Sequence, residues 1–366
     1  MVCIVPGPLH APQASVSSAP SSLQAESSLS RFGRFRAELD SILDRELGTP
    51  ERVAVLDSPY DANVGNHMMW LSICQYLHER GIKLAYSAHA RTFDVDAMRH
   101  AIGDAPVLFL GGVTVSRLWP HHADLKRKVA SGCRKNKLLS LPATMLFADA
   151  EDAQVAGEIF AGHPDVTMLA RDPVSAEQAR AAFKDTVRVI TAPDLAFRLA
   201  QQPRAAAPEH EISWLARDDL EGSGFKPPSD VHVFDWTHRL RQDVPRLWAP
   251  MRLALALNPG RKLPRLGPLG LPVNGSIAWL WERASMEALR YGNFALDSGR
   301  VLVTDRLHPH VLAALRRQPC VLLPDRFGKN RVVHQFYTGN VEGIVWAETP
   351  EEALSKARDL ARAGTS

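Results

Sequence analysis

Apolar side chains recur at two spacings along this chain, and the switching between them predicts its elements. Phe32, Phe35, Leu39, Ile42 and Leu43 fall at helical spacing, which predicts an amphipathic helix over 31–47. Residues 52–57 (RVAVLD) form a nearly continuous apolar run, as expected of a strand covered on both faces. A polar, Gly-containing turn follows over 58–66, then a helix over 67–80 that Gly81 ends. The same reading predicts strands over 83–87, 106–110, 137–140, 166–170 and 187–191, with helices over 124–130 and 175–183. Strands alternating with helices predict a parallel sheet in a doubly wound α/β domain. Ligands of such sheets gather beyond the carboxyl ends of the strands.

Residues 200–211 (AQQPRAAAPEHE) read as a linker, after which the alternation restarts. Strands are predicted over 211–216, 231–235, 299–304 and 320–324, and helices over 245–257, 277–291 and 309–317. A Pro/Gly/basic loop over 258–275 interrupts them. Thr349-Pro-Glu-Glu352 opens a last helix with a capping-box pattern and Pro at its first position. No internal repeat is found. The expected organisation is an N-terminal α/β domain over 31–205, a C-terminal α/β domain over 210–348 and a C-terminal helix over 349–366. A cleft is expected between the domains. Residues 1–30, rich in Ser, Ala, Pro and Gln, predict a disordered tail without the basic start and apolar stretch of a secretory signal.

Composition narrows the function classes. The 366 residues suit about two domains, and 45% hydrophobic with 23% charged residues excludes wholesale disorder. With 43 basic and 40 acidic side chains the net charge is +3, far from the basic stripe of a nucleic-acid binder. No nucleic-acid partner is expected; an acidic small molecule or an anionic membrane surface suits the balance better. Cys3, Cys74, Cys133 and Cys320 form no CxxC pair, which points to a reducing cytoplasm rather than a disulfide framework or a structural zinc. No run of about 18 apolar residues predicts a transmembrane helix.

The segment 301–331 (VLVTDRLHPHVLAALRRQPCVLLPDRFGKNR) carries the most chemistry. A buried strand delivers Arg306 and His308 to the mouth of a helix. Arg306 is a planar, permanently charged fork suited to carboxylate or phosphate, and His308 can carry a proton near neutral pH. In an extended strand end the two would share one face. The helix N-terminus adds donors for an anion, and Arg326, Lys329 and Arg331 follow near a second strand end. The plainer alternative is capping by Asp305 and solvated charges.

Other motifs keep two readings. Gly111-Gly112 after a strand either approaches a ligand or makes a tight turn. Asn63, Gly65, Asn66 and His67 either contact an acceptor or simply cap a helix. His121-His122 looks like a metal pair, but no Cys or carboxylate stands at convincing spacing, so a solvated pair is favoured and no metal is expected. Trp214, Trp236, Trp279 and Trp281 suit sugar stacking, with packing the favoured role. Arg171-Asp172-Pro173 also reads as a helix start.

Thr304-Asp-Arg-Leu-His308, with the apolar helix, the Pro-x-hydrophobic strand and Gly328-Lys-Asn330 that follow, resembles the polysaccharide pyruvyl transferase family. Residues 57–70 look like that family's N-terminal turn, Leu108–Gly112 like its Gly-rich strand end, and Leu141-Pro-Ala-Thr144 like its Leu-Pro-Gln-Ser turn. Ala170-Arg-Asp-Pro-x-Ser175 and Pro193-Asp194 are similar as well, so the resemblance spans about residues 51–338. The chain departs from the family pattern at Asn66, where an acid is usual, at Val113 and Thr114, and at Ala143, where Gln is usual.

The resemblance implies two Rossmann-like domains facing a cleft in a GT-B-like arrangement. It implies transfer of pyruvate from phosphoenolpyruvate to a sugar of an exopolysaccharide precursor, as a cyclic ketal, with phosphoenolpyruvate as co-substrate and no other cofactor. Arg306, Leu307 and His308 would form much of the donor site, with Arg171, Arg217 and Lys329 as further donor-side groups and His308 as general acid. Asn63, Gly65, Asn66, Gly111 and Gly112 would lie on the acceptor or cleft side. The acceptor expected is a lipid-linked oligosaccharide, met in the cytoplasm by peripheral contact with the inner membrane, and the 258–275 loop is a candidate for that contact. The alternatives are a GT-B-type glycosyltransferase using a nucleotide sugar and an inactive sugar-binding protein of the same pathway.

Overall fold

The computed structural model describes residues 28–111, 115–202, 204, 206–237, 245–257 and 270–363. The expected tail lies outside them up to residue 27, and Ser28 already opens α1 (Ser28–Leu47). Also outside are Gly112, Val113 and Thr114, and residues 258–269 of the expected loop. The rest of that loop, 270–275, is the start of a helix.

Two parallel sheets organise the chain. The first contains β1 (Arg52–Leu56), β2 (Lys83–Ala88), β3 (Val107–Phe109), β4 (Leu138–Ala143), β5 (Val166–Ala170) and β6 (Arg188–Thr191), in the order β2-β1-β3-β4-β5-β6. Between its strands run α2 (Val64–Glu79), α3 (Val95–Ile102), α4 (Pro120–Gly132), α5 (Ala150–Phe160) and α6 (Pro173–Phe183). The second sheet contains β7 (His210–Leu215), β8 (His232–Phe234), β9 (Gly299–Thr304), β10 (Cys320–Leu322) and β11 (Ile344–Trp346), in the order β11-β10-β9-β7-β8. Its helices are α7 (Pro245–Leu257), α8 (Gly270–Asp297), α9 (Leu307–Leu315), α10 (Lys329–Val333) and α11 (Pro350–Ala363). The strand order reverses direction between β1 and β3 in one sheet and between β7 and β9 in the other. Each sheet therefore has a crevice at the carboxyl ends of those strands.

The period of two along each strand divides the apolar residues between layers. Val53 and Val55 of β1 face a large core shared with Leu215 and Leu302 of the second sheet, while Ala54 and Leu56 face a core under α3–α6 with Met98, Phe160 and Phe183. Trp214, Val301, Val303 and Val321 turn the other way and pack on Ala353, Ala357 and Ala361 of α11. The shared core is filled by Leu39 and Leu43 of α1, Met68 and Ile73 of α2, Trp281, Ala284 and Ala288 of α8, and Val311 and Leu312 of α9. Helix α8, late in the sequence, thus packs on α2 and β2 of the first sheet. The stretch read as a linker is tied down: Gln202 N–H donates to Leu315 O at 3.3 Å and Arg204 donates to Gly299 O at 2.8 Å.

Four elements were not expected from the sequence: α3, α5, α10 and β11. Helices α3 and α5 start on Asp94 and Asp149, whose carboxylates accept from Ala97 N and Asp152 N. Helix α5 hides its register because a buried face position is Asp152, which accepts from Ser116 Oγ at 2.5 Å and Arg117 N at 2.8 Å. Helix α4 starts at Pro120, four residues before the expected start, with Pro in its first turn.

Several histidines are buried in these layers. Burial pulls the pKa of His310 from its ordinary 6.5 to about 3, and those of His89 and His334 to about 4. Below pH 6.5 the unfolded chain takes up protons that the native chain refuses, so this part of the stability is complete above pH 6.5 and lost as pH falls towards the folded values. Urea midpoints at pH 7.5 and pH 5 check this. The midpoint is expected to be lower at pH 5, with a smaller drop in His310→Gln. A flat or rising profile between these values would show that the rings are not held neutral.

Candidate active site

The crevices of both sheets open into one cleft of about 380 Å³. From the first sheet come Asp61, Asn63 and Asn66 after β1, Leu118, Trp119 and His122 after β3, and Arg171 after β5. The second supplies Arg217, Asp219, Leu220 and Glu221 after β7, Trp236 after β8, Arg306, Leu307, His308 and Pro309 after β9, and Phe327 and Lys329 after β10. Of the residues expected from the sequence, Arg171, Arg217, Arg306, Leu307, His308, Lys329, Asn63 and Asn66 all line this cleft.

The second sheet's side is densely charged. Helix α9 begins at Leu307, earlier than expected, with Arg306 as its cap residue and Pro309 still inside the first turn. His308 is therefore helical and does not share a strand face with Arg306. The Arg306 side chain is buried, and its fork is already engaged: Nη2 donates to Asp235 Oδ2 at 2.6 Å and to Thr237 Oγ1 at 3.3 Å, and Nη1 donates to Asp219 Oδ2 at 3.4 Å. Arg217 Nε donates to Asp219 Oδ1 at 2.6 Å, and its Nη2 pairs with Glu221 Oε2 at 2.6 Å. Lys329 Nζ joins Glu221 Oε2 at 2.5 Å. Burial alone would push Glu221 up, but Lys329 and Arg217 outweigh it and its carboxyl lies below the usual range. The arginine fork expected to meet a ligand carboxylate or phosphate already meets the chain's own: it belongs to a network closed by the carboxylates of residues 219, 221 and 235. Arg326 and Arg331 do not line the cleft; Arg331 pairs with Glu348 at 2.5 Å.

Asp194, just past β6, joins the two sheets. It is fully buried, accepts from Arg171 Nη1 at 2.9 Å and Ala196 N at 2.9 Å, and lies 3.7 Å from His308 Nε2. Burial raises its pKa, but His308, Arg171 and the Ala196 N–H pull harder, leaving the carboxyl well below the usual range. Arg171 Nε, Arg306 Nε and His308 Nε2 are buried atoms on cleft-lining residues with no hydrogen-bond partner among the described residues.

On the first sheet's side, Asn63 caps α2, its Oδ1 accepting from Gly65 N at 3.1 Å. Asn66 Nδ2 donates to Asp61 Oδ2 at 2.6 Å, a contact that a carboxylate at position 66 would turn into repulsion. Gly65 does not line the cleft but supports it: a Cβ built there would lie 2.3 Å from His308 Nδ1. Gly111 also lies outside the cleft lining. A Cβ there would meet Pro142 O at 2.1 Å, so its lack of a side chain serves close packing of β3 on β4 and not ligand approach. Ala143 contributes through its backbone, its O accepting from Arg171 N at 3.0 Å.

The sequence reading missed Asp57, which follows β1. Its Oδ1 accepts from His122 Nδ1 at 2.8 Å and its Oδ2 from Lys126 Nζ at 3.0 Å. His122 is thus anchored and not a solvated partner of His121. Pro193-Asp194 stands out in the sequence as a strand end and a family-like pair, but the partners of Asp194 do not; the carboxylates of Asp61, Asp219, Glu221 and Asp235 give no such sign, because an isolated Asp or Glu carries no signal until its long-range partner is known. Of the four tryptophans considered for stacking, only Trp236 reaches the cleft; Trp214 and Trp281 are core and Trp279 is exposed.

With this geometry in place, comparison with known proteins decides the family. The polysaccharide pyruvyl transferase profile matches residues 63–324, well over half of the chain. This chain belongs to the polysaccharide pyruvyl transferase family. It is therefore a transferase, one that moves a pyruvyl group to polysaccharide, and the family assignment favours pyruvyl over glycosyl transfer. Pyruvyl transferase 1 of Schizosaccharomyces pombe is 25% identical over 332 residues, covering 86% of this chain and 77% of the relative. The putative pyruvyl transferase EpsO of Bacillus subtilis is 22% identical over 324 residues, covering 88% and 95%. The crystal structure of an uncharacterised Klebsiella pneumoniae protein shares the fold, with TM-score 0.55 at 14% identity over 86% of this chain and 99% of that one. The family match begins at Asn63 and contains Arg171, Arg217, Arg306 and His308, while Lys329 lies beyond its end.

Gly65→Ala tests the contact between α2 and the His308 ring. Alanine favours the helix intrinsically by about 1 kcal/mol, yet its methyl would displace the ring. Turnover is expected to fall at least about tenfold, in line with the sensitivity of reacting groups to small misplacements, while the thermal midpoint changes little. Unchanged turnover would show that the ring position does not matter.

Proposed function

We propose that this cleft binds phosphoenolpyruvate on the side of the second sheet and a sugar on the side of the first, and joins them as a cyclic ketal. The observation that carries this reading is the pair of buried arginine donors with no hydrogen-bond partner among the described residues, Arg171 Nε and Arg306 Nε, on residues that line one cleft. A buried donor without a partner costs about 1–3 kcal/mol, and an anionic ligand would remove that cost. Phosphoenolpyruvate brings a carboxylate and a phosphate. The N-terminus of α9, at Leu307 and His308, adds backbone donors and positive potential for one of them. Asp219, whose side chain is 43% exposed beside the 4%-exposed Arg306, is the partner most easily displaced when an anion arrives.

The chemistry follows from these groups. His308 gives a proton to the methylene carbon, and the adjacent carbon gains oxocarbenium character that the bound carboxylate tolerates. A sugar hydroxyl adds there, phosphate leaves, and a second hydroxyl closes the ring. Arg171, Arg217, Arg306 and Lys329 neutralise the departing phosphate, so charge stabilisation is supplied by side chains and the scheme needs no divalent metal or other cofactor. Two parallel sheets with both crevices on one cleft fit a GT-B-like arrangement, with the donor on the C-terminal half. We place the reaction in the cytoplasm on a lipid-linked exopolysaccharide precursor, reached by peripheral contact with the inner membrane. No helix among the described residues is long and apolar enough to cross a membrane.

Phosphate release from phosphoenolpyruvate in the presence of sugar acceptors tests the reading, and it should persist after EDTA treatment and dialysis. Phosphoenolpyruvate should raise the thermal midpoint and nucleotide sugars should not, since only a ligand of the native state stabilises it. The reverse pattern would point to glycosyl transfer.

Two substitutions report on the donor side. Arg306→Lys loses the planar fork and is expected to weaken transition-state binding by about 2–4 kcal/mol. His308→Ala should lower turnover by roughly 10²–10⁴-fold, while calorimetry still detects phosphoenolpyruvate binding. Wild-type turnover in either variant would remove that residue from the mechanism.

A further inference from the structure

Ketal formation moves more protons than His308 alone can handle. The methylene carbon gains one proton, two sugar hydroxyls lose one each, and the departing phosphate takes one. A second group is needed to receive the first hydroxyl's proton, and it should stand across the cleft from His308. We infer that His122, oriented by Asp57, is the general base for the attacking sugar hydroxyl; this rests on the pyruvyl-transfer reading given above.

The geometry is specific. Asp57 follows directly on β1 with φ 65, a left-handed conformation that a non-glycine residue rarely adopts and that persists where surrounding contacts impose it. Its carboxylate is buried and divided between His122 Nδ1 at 2.8 Å and Lys126 Nζ at 3.0 Å. His122 and Lys126 stand four residues apart on α4 and so share a face. Burial would raise the Asp57 pKa, but Lys126 and His122 overcome it and hold the carboxyl well below the usual range. An ionised carboxylate only accepts hydrogen bonds, so His122 Nδ1 donates to it, which leaves Nε2 as the nitrogen through which the ring would act as a base. His122 lines the cleft on the first sheet's side, the side given above to the acceptor.

A purely structural role fits His122 less well than it fits His67 and His310. His67 and His310 are buried with both ring nitrogens engaged, by Ser285 Oγ and Asp61 O in one case and by Leu307 O and Thr338 Oγ1 in the other. His122 keeps 29% of its side chain exposed, and among the described residues only its Nδ1 is bonded. Nor does Asp57 need His122 for neutrality, since buried Lys126 already supplies a full opposite charge. Nearby, the His89 ring stands 6.5 Å away with its pKa pulled to about 4 by burial, and Asp61 lines the same cleft.

The proton balance then closes. His308 gives its proton to the methylene carbon as the first hydroxyl adds and His122 takes the hydroxyl proton. The carbon–oxygen bond to phosphate breaks, phosphate leaving with the proton held by His122, while the second hydroxyl adds and returns a proton to His308. Both imidazoles end as they began.

His122→Gln is the test, because the amide can still donate to Asp57 but cannot accept a proton. Phosphate release at saturating phosphoenolpyruvate is expected to fall at least about 100-fold, with calorimetric phosphoenolpyruvate affinity and circular dichroism unchanged. Wild-type turnover should decline towards acid pH as the base is protonated, and this limb should vanish from the residual activity of the variant. Wild-type turnover in His122→Gln, an unchanged acid limb, or a loss confined to phosphoenolpyruvate affinity would each overturn the inference. A wild-type chain that releases no phosphate from phosphoenolpyruvate with any sugar would instead overturn the donor assignment beneath it.

Discussion

Asp194 is a fully buried carboxylate that, among the described residues, is paired with Arg171 from its own sheet and His308 from the other. Removing one partner of such a group costs about 3–5 kcal/mol, because the remaining charge stays buried and unpaired. That demand fixes where α9 begins relative to β6, and with it the placement of Arg306 and His308. Gly65 answers to the same constraint from α2, since any side chain there would occupy the space of the His308 ring. The apolar core around α2, α8 and α9 then holds the two sheets at the separation that this contact requires.

Around that node the cleft is polarised by position more than by net charge. The second sheet's edge gathers cations, each restrained by a carboxylate from the loop after β7 or from the end of β8. Bare arginines at this spacing would repel one another; Asp219, Glu221 and Asp235 offset that repulsion and hold the forks in place. Apart from Arg171, the first sheet's edge presents the amides of Asn63 and Asn66, the Asp61 carboxylate and an anchored histidine, groups that suit hydroxyls. On the proposed reading, this division holds one substrate by charge and the other by hydrogen bonds; it follows from which strand ends face each other.

Much of this was legible in the sequence, and what was not has physical reasons. Most strands announced themselves as buried apolar runs, and Arg306 and His308 stood out because each follows such a run directly. Helix α9 was read from Pro309, whereas it starts at Leu307; Pro is tolerated anywhere in a first turn, so it does not mark the exact start. Asp57 and His122 are 65 residues apart in sequence, and the pairs Arg306–Asp219 and Arg306–Asp235 are 87 and 71 apart. No local pattern encodes such partners. Gly111 was read with two meanings, and only the position of Pro142 on the neighbouring strand decides for packing. Helix α5 escaped because its buried Asp152 breaks the apolar period that would have betrayed it.

In the proposed reaction the pyruvyl carbons come from phosphoenolpyruvate, with a proton delivered to the methylene carbon inside this cleft. Incubating the enzyme with 3-¹³C-labelled phosphoenolpyruvate and a sugar acceptor in deuterated water, then reading the product by carbon NMR, tests it most directly. The account predicts a labelled ketal methyl carrying one deuteron. A product without the label, or a labelled methyl without deuterium, would contradict it.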